Sequence, residues 1–417
     1  VQSLRALVMY GGDAAFPISG TSMNRLLSFT RLCVIATMAF AGCAYAQAPQ
    51  PPEVAAKSFL VYDMTSNQTL AERDADAPAD PASLTKLMSL YVVFTAIHDK
   101  KLALDQKIPV SKRAWDERKA GGSLMFIDTT MTPTVDELLH GEIVQSGNDA
   151  AVALAEAVGG SVDQFVVMMN RQAQAFGLKN TTFKNVTGLT EAGHKSTARD
   201  LAVIATHIIR DYPEFFAYYA IKEYKYNNIN QANRNLLLRR DPTVDGLKTG
   251  YTDAAGYCLI ATAQREFPNL GPDGKGSGKR RILTVVLHTT SAQARANESQ
   301  MLLNWGFQAF DTMRLFSDGK PIVTPPVWKG KSRDVKLGAA GGLFVSVPKG
   351  EGGTLKTSIQ RTDPLVAPLE KGQRVGTIKV TTASGAPVVE VPLVVLETVE
   401  QAGIFGRAWD AIRLWIK

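Results

Sequence analysis

Residues 81–97 restrict the possible folds more than any other segment. After Asp80-Pro81 the chain runs Ala-Ser-Leu-Thr-Lys-Leu-Met-Ser-Leu and continues to Ile97 with Lys86 as its single charged side chain. Asp80 is expected to cap a helix, and Pro81 suits its first turn, where a missing N–H costs nothing. The helix is apolar on nearly every side, so it must lie at the centre of a domain with other elements packed around it.

The surrounding layers are legible too. From Ser58, an apolar run, the turn residues 65–67 and Thr69-Leu70 predict a strand hairpin. Helical spacing recurs over 135–144, 149–158, 161–176 and 197–209, and strands return at 257–263 and 282–288. The polar, Gly-rich stretch 268–279 joins those two strands, and a helix over 292–310 closes the domain. Strand, helices, then strands again predict an α/β domain, an antiparallel sheet with helices on its faces, over 54–314. From about residue 315 to 396 the chain is punctuated by Gly and Pro between short Val-rich runs, which predicts a small all-β domain.

The ends carry their own signals. Met23, Arg25 and Arg31 precede an apolar run over 32–41, and Ala44-Tyr45-Ala46 offers small residues at −3 and −1. This reads as an export signal cut before Gln47, within an upstream segment of residues 1–46. Residues 1–22 resemble neither a signal nor a domain. Phe40 is a poor match for lipidation at Cys43. At the other end, Ile404, Phe405, Ala408, Trp409, Ile412, Trp415 and Ile416 share one helical arc, with Arg407, Asp410, Arg413 and Lys417 opposite. Residues 397–417 are therefore expected to form an in-plane amphipathic membrane-anchor helix, with Leu414 the exception to the pattern.

Of three cysteines only Cys258 lies beyond the leader, so no intramolecular disulfide or thiolate metal cluster is expected. Cys258 sits in an apolar run and reads as a small buried hydrophobe. The five histidines show no ligand spacing, and neither a metal nor another cofactor is expected. The formal charge of +7 is a mild excess without basic–aromatic interleaving. It suits an anionic surface better than nucleic acid.

Three short motifs carry chemistry. In Ser83-Leu84-Thr85-Lys86 the i, i+3 spacing puts the amine on the face of the hydroxyl, and burial would make that amine a base. Alone the motif is weak, since about one Ser-x-x-Lys is expected by chance. Ser146-Gly147-Asn148, before a helix, offers a hydroxyl and an amide two residues apart; a helix cap is the plainer alternative. Lys248-Thr249-Gly250 offers a charge, a hydroxyl for a carboxylate and a residue that admits a substrate backbone; a turn with a solvated lysine is its plainer alternative. The three in this order, the first on a Pro-led apolar helix, match a known acyl-transfer signature.

With its flanks, Pro81 to Met88, Gln145 to Ala150, His194 to Asp200, Asn233-Arg234-Asn235 and Val244 to Gly250, the chain resembles the low-molecular-weight penicillin-binding proteins of the serine D-alanyl-D-alanine carboxypeptidase type. The resemblance implies a transpeptidase/β-lactamase-like catalytic domain followed by the β domain. It implies Ser83 as acylated nucleophile, Lys86 as base and Ser146 as a third catalytic residue. Asn148, Arg234, Lys248, Thr249, Gly250 and Tyr251 would bind substrate, with the backbone N–H groups of Ser83 and Tyr251 as oxyanion hole. Tyr251 stands where some relatives have histidine.

The implied substrate is the peptidoglycan pentapeptide, and β-lactam antibiotics would be covalent inhibitors. The implied location is the periplasm, attached peripherally to the outer face of the inner membrane. Two alternatives remain at this point. One is a class A-like β-lactamase, disfavoured because no Glu-x-x-Asn follows Asn148. The other is a non-catalytic wall-binding relative, disfavoured by the intact Ser83/Lys86 pair.

Overall fold

The computed structural model describes residues 49–268, 270 and 276–415; the expected export signal, residues 1–22 and Cys43 lie outside them. Five strands form one antiparallel sheet in the order β2-β1-β7-β6-β5. They are β1 (Ser58–Asp63), β2 (Gln68–Arg73), β5 (Val244–Thr252), β6 (Gly256–Pro268) and β7 (Ser277–Thr289). A separate hairpin, β3 (Glu223–Tyr226) with β4 (Ile229–Ala232), lies earlier in the chain.

Both sheet faces are covered, which is why the inner strands are apolar without a polar side. Leu60, Leu247, Ile260, Leu283, Val285 and Leu287 join the larger core with the helices α1 (Lys86–His98), α2 (Lys112–Ala120), α3 (Val135–His140), α4 (Asn148–Gly159), α5 (Val162–Ala175) and α6 (Ala198–Asp211). The alternate residues Phe59, Val61, Leu259, Ala261, Ile282 and Val286 pack with Leu302, Leu303 and Phe307 of α7 (Ala292–Ala309). Helix α1 is buried from Lys86 through Phe94, as its all-round apolarity requires.

Its entry differs from the expectation. A 3₁₀ turn over Ala82–Thr85 precedes α1, and Asp80 provides no cap. Ala82 enters the turn at φ 46°, in the left-handed region, so the extended backbone that a capping side chain needs is absent. Strands β6 and β7 run further than their apolar cores, into the polar stretch between them. Helix α2 leaves little trace in the sequence because it is mostly polar; Ser111 caps it by accepting from the Ala114 N–H at 3.0 Å.

After α7 comes β8 (Phe310–Phe316), which pairs with β10 (Leu343–Pro348). A second sheet has the order β11-β12-β13-β9. Its strands are β9 (Leu337–Gly338), β11 (Lys356–Arg361), β12 (Arg374–Thr381) and β13 (Pro387–Val395). Val335, Leu337, Val345, Ile378, Val380 and Leu393 fill its core. The last described element is α8 (Ile404–Trp415).

A buried ion pair ties the five-stranded sheet to the β8–β10 pair. Asp63, at the end of β1, and Arg280, on β7, have fully buried side chains and meet at 2.8 Å. The same carboxylate accepts from Thr312 Oγ1 on β8 at 3.0 Å and from Ser346 Oγ on β10 at 2.7 Å. The other oxygen accepts from the backbone N–H of Thr65 at 2.9 Å. Leaving Arg280 buried without its partner is expected to cost about 3–5 kcal/mol in Asp63→Ala. Urea unfolding should show that loss, and the Asp63→Leu, Arg280→Met double variant should recover much of it.

Candidate active site

The 3₁₀ turn holds Ser83 at the floor of a cleft of about 370 Å³. Its lining includes Ser83, Ser146, Asn148, Thr187, Arg234, Thr249, Gly250, Tyr251 and Arg295. A larger concavity, about 710 Å³, lies between residues 360–369 and 373–377 of the β domain. It brings none of the three motifs together, so the smaller cleft is the chemical candidate.

Lys86 is fully buried and directly below the nucleophile. Its Nζ lies 2.7 Å from the Thr187 carbonyl, 2.8 Å from Asn148 Oδ1 and 3.1 Å from Ser83 Oγ. A neutral amine has two N–H bonds and one lone pair. The carbonyl and the amide oxygen are acceptors only, so they take both N–H bonds and leave the lone pair for the serine hydroxyl. Burial is also the main force lowering the Lys86 pKa, because it penalises the charged form.

The second motif arrives by an unusual turn. After α3, residues Gly141–Gln145 form a π-helical turn that ends with Ser146 in the left-handed region at φ 66°. Such turns insert one residue and re-aim the side chains beyond it. Ser146 is buried, and its Oγ has no hydrogen-bond partner among the described residues. Asn148 opens α4 and commits its amide oxygen to Lys86. Asp149 locks the loop opposite, accepting from the backbone N–H groups of Met125 at 2.8 Å and Ile127 at 3.1 Å.

The third motif lies on β5, the edge strand beside the 3₁₀ turn. Lys248 is buried, and burial followed by the nearby Lys86 charge pushes its pKa well down. Thr249 faces the cleft. A Cβ on Gly250 would come within 3.3 Å of the Ser83 nitrogen and 3.2 Å of the Pro81 carbonyl, so glycine lets strand and turn meet. Gly188 does the same from the opposite loop; its φ is +83°, and a Cβ there would lie 1.8 Å from the Ala82 oxygen. Tyr251 is exposed at the rim, its ring 4.3 Å from that of Tyr257. Arg234 also reaches the cleft, and no carboxylate pairs with it among the described residues.

All nine residues singled out from sequence therefore converge around this cleft. The motifs did not reveal Thr187 or Arg295. Arg295 is buried on α7, donates to the Gly250 carbonyl at 2.9 Å and adds a second guanidinium to the lining. Its one sequence cue is its position in the first turn after the Ser291 cap. Among the described residues no group of three or more His, Cys, Asp or Glu side chains could hold a metal ion.

His194 supports the site from behind. Its Nδ1 accepts from the Lys184 N–H at 3.0 Å, so Nε2 carries the proton and donates to Thr85 Oγ1 at 2.7 Å. Burial holds its pKa down at about 4, against 6.5 for an ordinary histidine. The unfolded chain thus binds a proton that the folded chain refuses between these values, and stability falls as pH drops from 6.5 to 4. The loss across that window is on the order of 3 kcal/mol. Urea titrations should show a flatter stability–pH slope across that window in His194→Gln.

Comparison with known proteins extends this picture. The family model described as D-alanyl-D-alanine carboxypeptidase matches residues 45–270, and that of the penicillin-binding protein 5 C-terminal domain matches residues 310–401. The D-alanyl-D-alanine carboxypeptidase DacC of Escherichia coli is 41% identical over 382 residues, covering 90% of this chain and 92% of that protein. DacF of Bacillus subtilis is 33% identical, covering 95% of this chain and 100% of that protein. Among solved structures, penicillin-binding protein 5 of Haemophilus influenzae superposes with a TM-score of 0.77 at 37% identity, over 85% of this chain and 100% of that one. A Listeria monocytogenes penicillin-binding protein in its ampicillin-bound form gives a TM-score of 0.54 at 30% identity, over 62% of this chain and 100% of that one.

Proposed function

The chain belongs to the D-alanyl-D-alanine carboxypeptidase family, and from that premise we propose how its residues perform the reaction. The enzyme removes the terminal D-Ala from peptidoglycan stem pentapeptides through an acyl-enzyme on Ser83. The observation that carries this reading is the buried Lys86 amine, its Nζ 3.1 Å from the Ser83 hydroxyl.

Lys86 takes the proton as Ser83 Oγ attacks the D-Ala–D-Ala carbonyl. Backbone N–H groups of Ser83 and Tyr251 stabilise the oxyanion. The substrate's terminal carboxylate meets Thr249, Lys248 and the guanidinium of Arg234, while Asn148 and Gly250 receive its backbone. Ser146, its hydroxyl free of protein partners among the described residues, gives its proton to the departing amine and takes in return the one held by Lys86. Water then hydrolyses the acyl-enzyme. With a β-lactam the leaving amine stays tethered to the acyl group, which explains covalent inhibition of this serine.

Ser83→Ala should abolish labelling by a fluorescent penicillin and lower D-Ala release by more than about 10³-fold, with an unchanged circular dichroism spectrum. Lys86→Arg should be nearly as inactive, because a guanidinium keeps its proton. Acylation within a few-fold of wild type in Lys86→Arg would assign the base to another group.

The second part of the proposal is location: an exported enzyme held at the outer face of the inner membrane by its C-terminal helix. Ile404, Phe405, Trp409, Ile412 and Trp415 of α8 are all exposed; Phe405 and Trp415 are 92% and 89% exposed. The polar side turns inward, where Asp410 accepts from the Lys329 N–H at 2.7 Å and Arg413 lies 5.6 Å from the Trp328 ring centroid. Exposed aromatics opposite basic residues suit an interfacial helix. The helix begins later than expected, since Val399 is buried in the β domain and pairs with Leu369; deleting 403–417 should release a soluble protein that still reacts with penicillin, and a truncated protein found in the membrane pellet would assign the anchor elsewhere.

A further inference from the structure

The concavity of the β domain, larger than the catalytic cleft, takes no part in the chemistry above. Its walls are the end of β11, the loop over 362–369 and the start of β12. Two arginines line it from opposite strands. Arg361 stands across from Gly376 in the β11–β12 register. Arg374 folds back along β12, its Nε donating to the Gly376 carbonyl at 3.3 Å and its Nη2 to Thr377 Oγ1 at 3.1 Å. Both cations therefore attend one glycine. A Cβ on Gly376 would lie 2.9 Å from the Arg361 Cβ, so glycine leaves that space to the arginines.

One carboxylate serves the pair. Asp363 Oδ2 lies 3.3 Å from Arg361 Nη2. Among the described residues Arg374 has no acidic partner, and Arg361 Nη1 is buried without a hydrogen-bond acceptor. Like charges set opposite one another on paired strands are unfavourable unless an anion joins them. The guanidinium fork matches a carboxylate or a phosphate.

The rest of the lining separates those two anions. Gln360 and Thr362 are exposed, and their side chains make no hydrogen bond to other described residues. Val366 also lines the groove and is the one large apolar side chain between residues 310 and 400 that is exposed among the described residues. An amide and a hydroxyl suit a peptide backbone, and the valine suits a methyl group. A phosphate would use the arginines and leave the other three idle.

We propose that this groove is a second, non-catalytic binding site, for the carboxylate-bearing stem peptides of peptidoglycan. The class of ligand rests on the proposed carboxypeptidase reading; the site itself does not. Stem peptides repeat along one polymer, so a stem held in the groove raises the effective concentration of its neighbours at the cleft.

The full chain is acylated with benzylpenicillin to block the cleft, then titrated against a fluorescent disaccharide tetrapeptide and followed by anisotropy. Penicilloyl wild type should still bind, and the Arg361→Ala, Arg374→Ala double variant should bind at least about fivefold more weakly. A tetrapeptide with its carboxylates amidated should lose as much. Without the block, D-Ala release from a diacyl-Lys-D-Ala-D-Ala tripeptide should stay within about twofold of wild type in the double variant, because the sites are independent. KM on pentapeptide-rich wall sacculi should instead rise at least about threefold, because avidity is lost.

Val366→Glu, at an exposed position, adds a charge that repels the ligand and should weaken binding even if the double variant fails to fold. Absence of binding by penicilloyl wild type, or binding unchanged in these variants, would overturn the proposal. Arginine-dependent retention on phosphatidylglycerol vesicles, or displacement of the tetrapeptide by equimolar inorganic phosphate, would overturn it in favour of a phosphate site. A wild-type protein that is neither acylated by penicillin nor releases D-Ala would overturn the carboxypeptidase reading instead, and the groove is then read by the same titration without the block.

Discussion

An amine sealed from water beneath a serine organises this protein. To exclude water from Lys86 the chain must surround the start of α1 on every side, and each surrounding element ends at the cleft because of it. The edge of the sheet brings Lys248 and Thr249, the π-helical turn brings Ser146 and Asn148, and the loop at Thr187 and Gly188 closes the remaining side. Burial then has a chemical effect. The cost of charging an amine in a dry site brings the Lys86 pKa down to about 8, well below that of an exposed lysine. The Asn148 and Thr187 oxygens accept from the Lys86 amine and so fix its orientation beneath Ser83.

Much of this is legible in the sequence because the determining features are local. Residues 81–97 announce a central helix through their lack of any polar face, and the Ser83–Lys86 spacing is a property of one helical turn. The apolar runs of β1, β6 and β7 imply a sheet covered on both sides. The features that stay hidden depend on distant contacts. The left-handed Ala82 packs against Gly188 and Gly250, which lie 106 and 168 positions further along the chain and leave room for the turn. Arg295 is an ordinary first-turn arginine until α7 carries it under β5. Glu142 looks like one more acidic residue in a helix with Asp136 and Glu137; only the extra residue in the π-helical turn points it inward.

Helix α2 and the β3–β4 hairpin escape for a different reason. They are short, largely polar and half exposed, so hydrophobic periodicity has little to register. In α8 the reverse holds. Its pattern is strong, and its apolar side chains are exposed among the described residues.

The Asp63–Arg280 pair gives the fold a mechanical character. Hinged two-domain enzymes carry a wet, polar seam that lets one half swing; here the seam contains a dry ion pair whose carboxylate also holds Thr312 and Ser346. The five-stranded sheet is thereby joined to the β8–β10 pair, and the β domain stands as a length of chain between the cleft and α8. With α8 lying on a lipid surface, that length would act as a mast. It would set the altitude at which the cleft meets the wall, and the reach of the enzyme would change only with the size of the β domain.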